Sequence, residues 1–192
     1  MTTADLIQIL TNITQENIDN VKKFTTKLSD DQMKWRPNPG IWSVGEVLAH
    51  LNEYAVYYHP TIASKIKTTR FTSTKEEFMS SPLGRSAWKS MKLGKVKNVK
   101  RKFRAPKGQN PTLHPELVKG TEVADFLKHQ ADMMELIEQS QTVNLRRVKI
   151  PISISKIVRL RLGDALLFVV YHNQRHVQQI INLVTHKNFP KK

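Results

Sequence analysis

Apolar residues recur at the helical period in four separate stretches of this chain, and proline-rich or polar segments keep those stretches apart. The first stretch places Leu6, Ile9, Leu10, Ile13, Ile18, Val21, Phe24 and Leu28 roughly on one stripe, which predicts an amphipathic helix over residues 4–28. It should end near Ser29-Asp30-Asp31. Two prolines and a glycine in Trp35-Arg-Pro-Asn-Pro-Gly40 then forbid a continuous helix. Ser43, with Glu46 three residues on, has the pattern of a capping box, opening a second helix through Val44, Val47, Leu48, Leu51, Tyr54, Ala55 and Tyr58. Pro60 either ends that helix or kinks it on the way to Lys67. A third helix starts near Thr121, another capping candidate, and uses Val123, Phe126, Leu127, Met133, Met134 and Ile137. The fourth begins near Gly163-Asp164 and runs to about His186.

The connections are uneven. Residues 68–120 are irregular, with short helical pieces expected at 76–79 and 87–93 and an extended crossing loop at 103–111. Residues 143–160 are β-branched and basic around Pro151, which predicts an extended excursion and not a core strand. Four helices with one long crossover suit an all-α four-helix bundle better than a solenoid. The 192 residues suit one domain, 1–192, with a basic insertion at about 68–120 between the second and third helices.

Several function classes are excluded or disfavoured. No run of 18 apolar residues exists, so no membrane span is expected, and the N-terminus lacks the basic flank and apolar block of a signal peptide. Cysteine is absent, which removes disulfides, thiolate metal sites and cysteine nucleophiles. A cytoplasmic location is expected. Neither a glycine-rich phosphate loop nor a Ser-His-Asp arrangement is recognisable, which disfavours nucleotide-driven chemistry and serine hydrolysis.

The net charge of +15 is concentrated in the middle of the chain. Residues 70–119 hold 13 Lys or Arg against Glu76, Glu77 and Glu116, a net of +10, and residues 85–107 hold ten basic residues and no acid. Such a block attracts nucleic acid, an anionic membrane surface or an acidic partner, or it serves as a solvated loop that keeps a basic protein soluble. Aromatic support for single-stranded nucleic acid is thin, since the segment offers Phe71, Phe78, Trp88 and Phe103.

Among seven histidines, His172-Asn-Gln-Arg-His176 is the informative pair. An i, i+4 spacing puts both rings on one helix face, one turn apart, with Ala165, Val169, Gln179 and Leu183. That pair alone fits hydrogen-bonded packing residues as well as metal ligands. His50 lies mid-way along the second helix, beside Val47, Tyr54 and Tyr57. Three imidazoles buried without partners cost on the order of 1–3 kcal/mol for each unsatisfied group. If the second and fourth helices meet, one divalent cation satisfies all three, and three neutral nitrogens with an open position are a catalytic ligand set. Glu46, one turn before His50, is a candidate general base, although the capping box accounts for it without catalysis. Tyr54, Tyr57 and Gln179 are expected to line the pocket, Gln179 as a ligand contact or as a packing amide. Trp35 and Trp42 should staple the loop to the helices. His59 and His114, each beside a proline, are expected at the surface, and His129 is a spare ligand candidate.

Two motifs then resemble those of a known family. Trp35-Arg-Pro with Gly40-Ile-Trp42-Ser43-Val-Gly-Glu46-Val-Leu-Ala-His50-Leu resembles the second-helix signature of the DinB-like superfamily. Leu162-Gly-Asp164-Ala-Leu-x4-Tyr-His172-x3-His176-x2-Gln179-Ile resembles its last-helix signature. The motifs cover both ends of the chain, and the basic middle matches only loosely. The resemblance implies an antiparallel four-helix bundle with a three-histidine divalent metal site, carried onto His50, His172 and His176. It also implies a diverse set of activities: thiol-dependent transferases and isomerases, proposed hydrolases, and members with no known activity.

The resulting expectation is a metal-dependent hydrolase or thiol-dependent transferase acting on a small molecule, with one zinc or nickel ion as Lewis acid. A thiol cosubstrate, weak non-specific nucleic-acid binding and a homodimer are the expected partners. The alternative is a basic nucleic-acid- or partner-binding module whose metal is structural.

Overall fold

Thr2 opens the first helix by a capping box, its hydroxyl accepting from the Asp5 amide at 3.0 Å while the Asp5 carboxylate accepts from the Thr2 amide at 3.1 Å. In the computed structural model, which describes residues 1–94 and 104–191, the chain is mostly helical. The α-helices among the described residues are α1 (Thr3–Thr25), α2 (Asp30–Lys34), α3 (Val44–Thr68), α4 (Pro82–Met91), α5 (Glu122–Gln139) and α6 (Leu162–Val184). Two strands, β1 (Lys149–Ile152) and β2 (Ser155–Arg161), pair antiparallel.

The four long helices carry the core. Leu6, Leu10 and Val21 of α1 are fully buried, and α1 packs on α5 and α6. Helix α3 packs on the same two helices, burying Leu48, Leu51, Tyr58 and Ile62. Ser43 and Glu46 form the expected capping box at the start of α3. Pro60 does not end α3, which continues to Thr68. A proline at this position withholds the amide that would bond the Val56 carbonyl, and Val56 lies on the exposed side, where water can take its place.

Several expectations need correction. The first helix stops at Thr25 instead of residue 28, and Ser29 caps a further short helix, α2, through a second capping box with Gln32. Thr121 does precede α5 but does not cap it, because its hydroxyl donates to Asp125 at 2.7 Å instead of accepting from the helix. Residues 76–79 are not helical. Thr2 bridges Glu77, and the Thr3 and Phe78 amides pair with the Glu76 and Met1 carbonyls. The piece expected at 87–93 is α4, which starts earlier, at Pro82, where the Ser81 hydroxyl accepts from the Gly84 amide at 2.9 Å, and ends at Met91. Helix α4 then packs on α6. Part of the expected crossing loop and of the basic run, residues 95–103, lies outside the described residues; the rest of the loop contains a 3-10 turn at Lys107–Gln109.

The excursion after α5 is extended, as its composition suggested, but it also contributes to the core, so the chain is not purely α. Ile150 pairs with Leu160, and both are buried while Lys149 and Arg159 point outward. This alternation is what one covered sheet face requires. The hairpin leaves Ile154 and Ile157 exposed near its turn.

Candidate metal centre

Helix α3 delivers His50 and helix α6 delivers His172 and His176 to one point. One ligand atom from each ring lies within 4.8 Å of the other two. Nε2 of His50 is 3.3 Å from Nε2 of His172. The His176 ring centroid is 4.9 Å from that of His50 and 4.6 Å from that of His172. His50 and His172 are buried, and His176 is partly exposed, so the cluster approaches solvent on the His176 side.

The outer nitrogens decide the proton positions. Nδ1 of His50 is 2.5 Å from the main-chain carbonyl of Gln109, which can only accept, so the proton sits on Nδ1 and Nε2 is a bare lone pair. Nδ1 of His176 is 3.0 Å from Oε1 of Gln179, which fixes that ring in the same way. Nδ1 of His172 is buried with no hydrogen-bond partner among the described residues. All three rings are held neutral. Burial pushes His50 down to about 4, against the opposing effect of its hydrogen bond to the Gln109 carbonyl. Burial takes His172 and His176 well below the ordinary histidine value, with the neighbouring histidines and Arg175 adding to it.

This donor set fits a divalent ion. A tetrahedral ion holds nitrogen ligands at about 2.0–2.1 Å, which separates them by about 3.4 Å. The His50–His172 separation already has that value. Nε2 of His50 and Nε2 of His172 lie within hydrogen-bond distance of each other, so either a proton on Nε2 of His172 or a cation occupies the space between them, and the rings stay neutral at pH 7. Hydrogen bonds from the outer nitrogens to Gln109 and Gln179 are the orienting contacts that metal-binding histidines require.

Aromatic rings pack around the cluster. Tyr54 stacks on His172 at 4.1 Å between centroids and meets the His50 ring at 4.9 Å. Burial, then Tyr58, raises its hydroxyl above the usual tyrosine range, so it remains protonated. Trp42 lies 4.9 Å from His50 and stacks near His176 at 6.2 Å, while its indole N–H donates to Thr112. Tyr57 is partly buried and meets Tyr58 edge-on at 5.0 Å, with no ring contact to a histidine of the cluster among the described residues. Glu46 is buried with both oxygens engaged, one accepting from the Ser43 amide at 2.8 Å and the other paired with Arg36 at 2.7 Å.

Trp42, expected as a staple, also forms one wall of the cluster. Gln109 went unnoticed, because a main-chain carbonyl leaves no mark in a sequence. His114 is part-exposed and pairs with Glu116 at 2.9 Å. His59 is the clear correction: it is buried, not superficial. Since Pro60 does not break α3, the inward stripe of Ala55, Tyr58, His59 and Ile62 continues through it at i, i+3, i+4 and i+7.

A mostly helical protein with three converging, neutral histidines is the class these observations define. The family model of the DinB superfamily matches residues 13–180, and the chain belongs to that superfamily. No curated protein and no solved structure matches it. None of the helices among the described residues is long and apolar enough to cross a membrane.

Proposed function

We propose that the protein is a metal-dependent enzyme acting on a small molecule, either a hydrolase or a thiol-dependent transferase. In this reading α1, α3, α5 and α6 form an antiparallel four-helix bundle whose interior holds one zinc or nickel ion on His50, His172 and His176. The observation that carries it is the proton arrangement: the Gln109 carbonyl and the Gln179 amide take the outer N–H groups and leave the inner nitrogens of His50 and His176 as lone pairs. Bound there, a divalent ion would supply Lewis acidity, lowering the pKa of a coordinated water or thiol. Imidazole-only donors suit zinc and nickel.

The chain's own residues define the rest of the site. Trp42 and Tyr54 wall it with apolar ring faces and exclude water from the buried side. The protonated Tyr54 hydroxyl is a donor, not a base. Glu46 acts chiefly as an anchor, since Ser43 and Arg36 already take both of its oxygens and fix the start of the helix that bears His50. The partly exposed side at His176 is where a small substrate enters.

The test is elemental analysis of purified protein combined with cobalt substitution. The His50→Ala, His176→Ala double variant should carry one equivalent of divalent metal less than wild type; an unchanged content overturns the assignment. A small thiol or carboxylate should perturb the cobalt spectrum, and His172→Ala should abolish that response. A ligand-insensitive spectrum overturns the enzyme reading.

One observation favours a second reading, a basic binding module with a structural metal. Lys75, Arg146, Arg147 and Arg161 line a single cavity with Ser73 and Asn144, a place suited to an anionic group of a partner.

A further inference from the structure

A second histidine cluster lies where α3 crosses α5. His59 of α3 faces His129 and Asp132 of α5, the latter two spaced i, i+3 on one helix face. One ligand atom from each lies within 4.8 Å of the other two, a bound that the cluster of His50, His172 and His176 also meets. The His59 and His129 rings are 5.6 Å apart and nearly perpendicular, and Nδ1 of His129 is 3.7 Å from the Asp132 carboxylate.

His59 is the independent observation. It is only 8% exposed, and neither of its ring nitrogens has a hydrogen-bond partner among the described residues. Buried imidazoles are normally satisfied, because each unpaired polar group costs on the order of 1–3 kcal/mol. The groups facing His59 from α5 are a second imidazole and a carboxylate, the donor types that bind a borderline divalent ion. His129 and Asp132 are part-exposed, so an ion can reach the cluster from solvent and keep a water-facing position.

From this arrangement we propose a second divalent-metal site, formed by His59, His129 and Asp132, that takes Zn2+ and clamps α3 to α5. It is separate from the first cluster. His50 and His59 are nine residues apart on one helix, and a rise of 1.5 Å per residue puts them roughly 13–14 Å apart along it, well beyond the ~3.5–4 Å of a two-metal centre. Two nitrogens and one carboxylate oxygen make a donor set for zinc-like ions and not for calcium or magnesium, which take oxygen ligands. An ion bound only by the folded chain stabilises it by mass action, so Zn2+ should protect the helix pair even where the first cluster has been removed.

The experiment is a Zn2+ titration of metal-stripped, full-length protein against a chromophoric chelator. Wild type should take up two equivalents, and His129→Ala, Asp132→Ala should take up one. The His50→Ala, His176→Ala variant should retain one equivalent, lost when His129→Ala and Asp132→Ala are added. Because His129 and Asp132 are part-exposed, their truncation spares the core, and helical circular dichroism checks that the fold persists. The proposal is overturned if His129→Ala, Asp132→Ala binds as many equivalents as wild type with affinities changed less than threefold. It is equally overturned if folded His50→Ala, His176→Ala protein binds no Zn2+.

Discussion

Gly84 of α4 sits against Asp164 of α6 so closely that an alanine there should unsettle the packing of the two helices. A Cβ built on Gly84 would lie 2.0 Å from Oδ2 and 2.5 Å from Cβ of Asp164. Turning the carboxylate aside cannot relieve the second clash, since Cβ is fixed to the α6 backbone. The carboxylate is itself tied down, accepting from the amide and the hydroxyl of Ser81 at 3.0 Å each. Helix propensity alone favours alanine over glycine by about 0.5–1 kcal/mol. Against that stand overpacking, at about 1–3 kcal/mol, and the loss of a hydrogen bond to a charged group, at about 1.5–3 kcal/mol. The net expectation for Gly84→Ala is a loss of about 2–4 kcal/mol. With a urea slope of about 1–3 kcal/mol/M, the unfolding midpoint should fall by about 1 M or more at unchanged slope. Gly108→Ala, where no atom lies within 4 Å of the added Cβ, is the control and should shift the midpoint little. A Gly84→Ala protein as stable as wild type, or more so, refutes the reasoning.

Acid should act on the metal-free protein. His50 has a folded-state pKa of about 4 against about 6.5 unfolded, so the unfolded chain binds more protons between those values. Its contribution is complete above pH 6.5 and is lost as pH falls toward 4, by about 3 kcal/mol in all, so urea midpoints in chelator should drop across that window; a flat profile contradicts it. Gln179→Leu removes the acceptor of the His176 N–H and should weaken metal binding at the first cluster about 10–100-fold with little change in helical content, as read by chelator competition. The basic run 85–107 should give only weak DNA binding whose affinity falls steeply with salt; tight, sequence-selective binding at physiological salt in a gel-shift assay refutes this.

The long helices were legible because each carries an apolar stripe. Ser43 with Glu46 marked the start of α3 to the residue. The failures were local. Thr121 and Ser29 are both capping residue types, and only the geometry around them shows that Ser29 caps while Thr121 turns to Asp125. Residues 76–79 left the helical state for tertiary pairing with residues 1–3, which no local pattern announces. At the site, the three histidines could be named from spacing and resemblance, but the proton position of His50 depends on Gln109, 59 residues away along the chain. His59 was expected at the surface for its place beside Pro60, whereas α3 runs through Pro60 and carries His59 inward.

The bond from His50 to the Gln109 carbonyl makes the site sensitive to chain length in a way its ligands do not reveal. The acceptor is main chain, so many side chains at position 109 would leave it in place. Its position is set by the 3-10 turn at Lys107–Gln109. One residue added or removed there would carry the carbonyl away and free His50 to shift its proton inward, blocking the lone pair without altering any histidine. Variation in this loop is therefore tolerated as spelling but not as spacing.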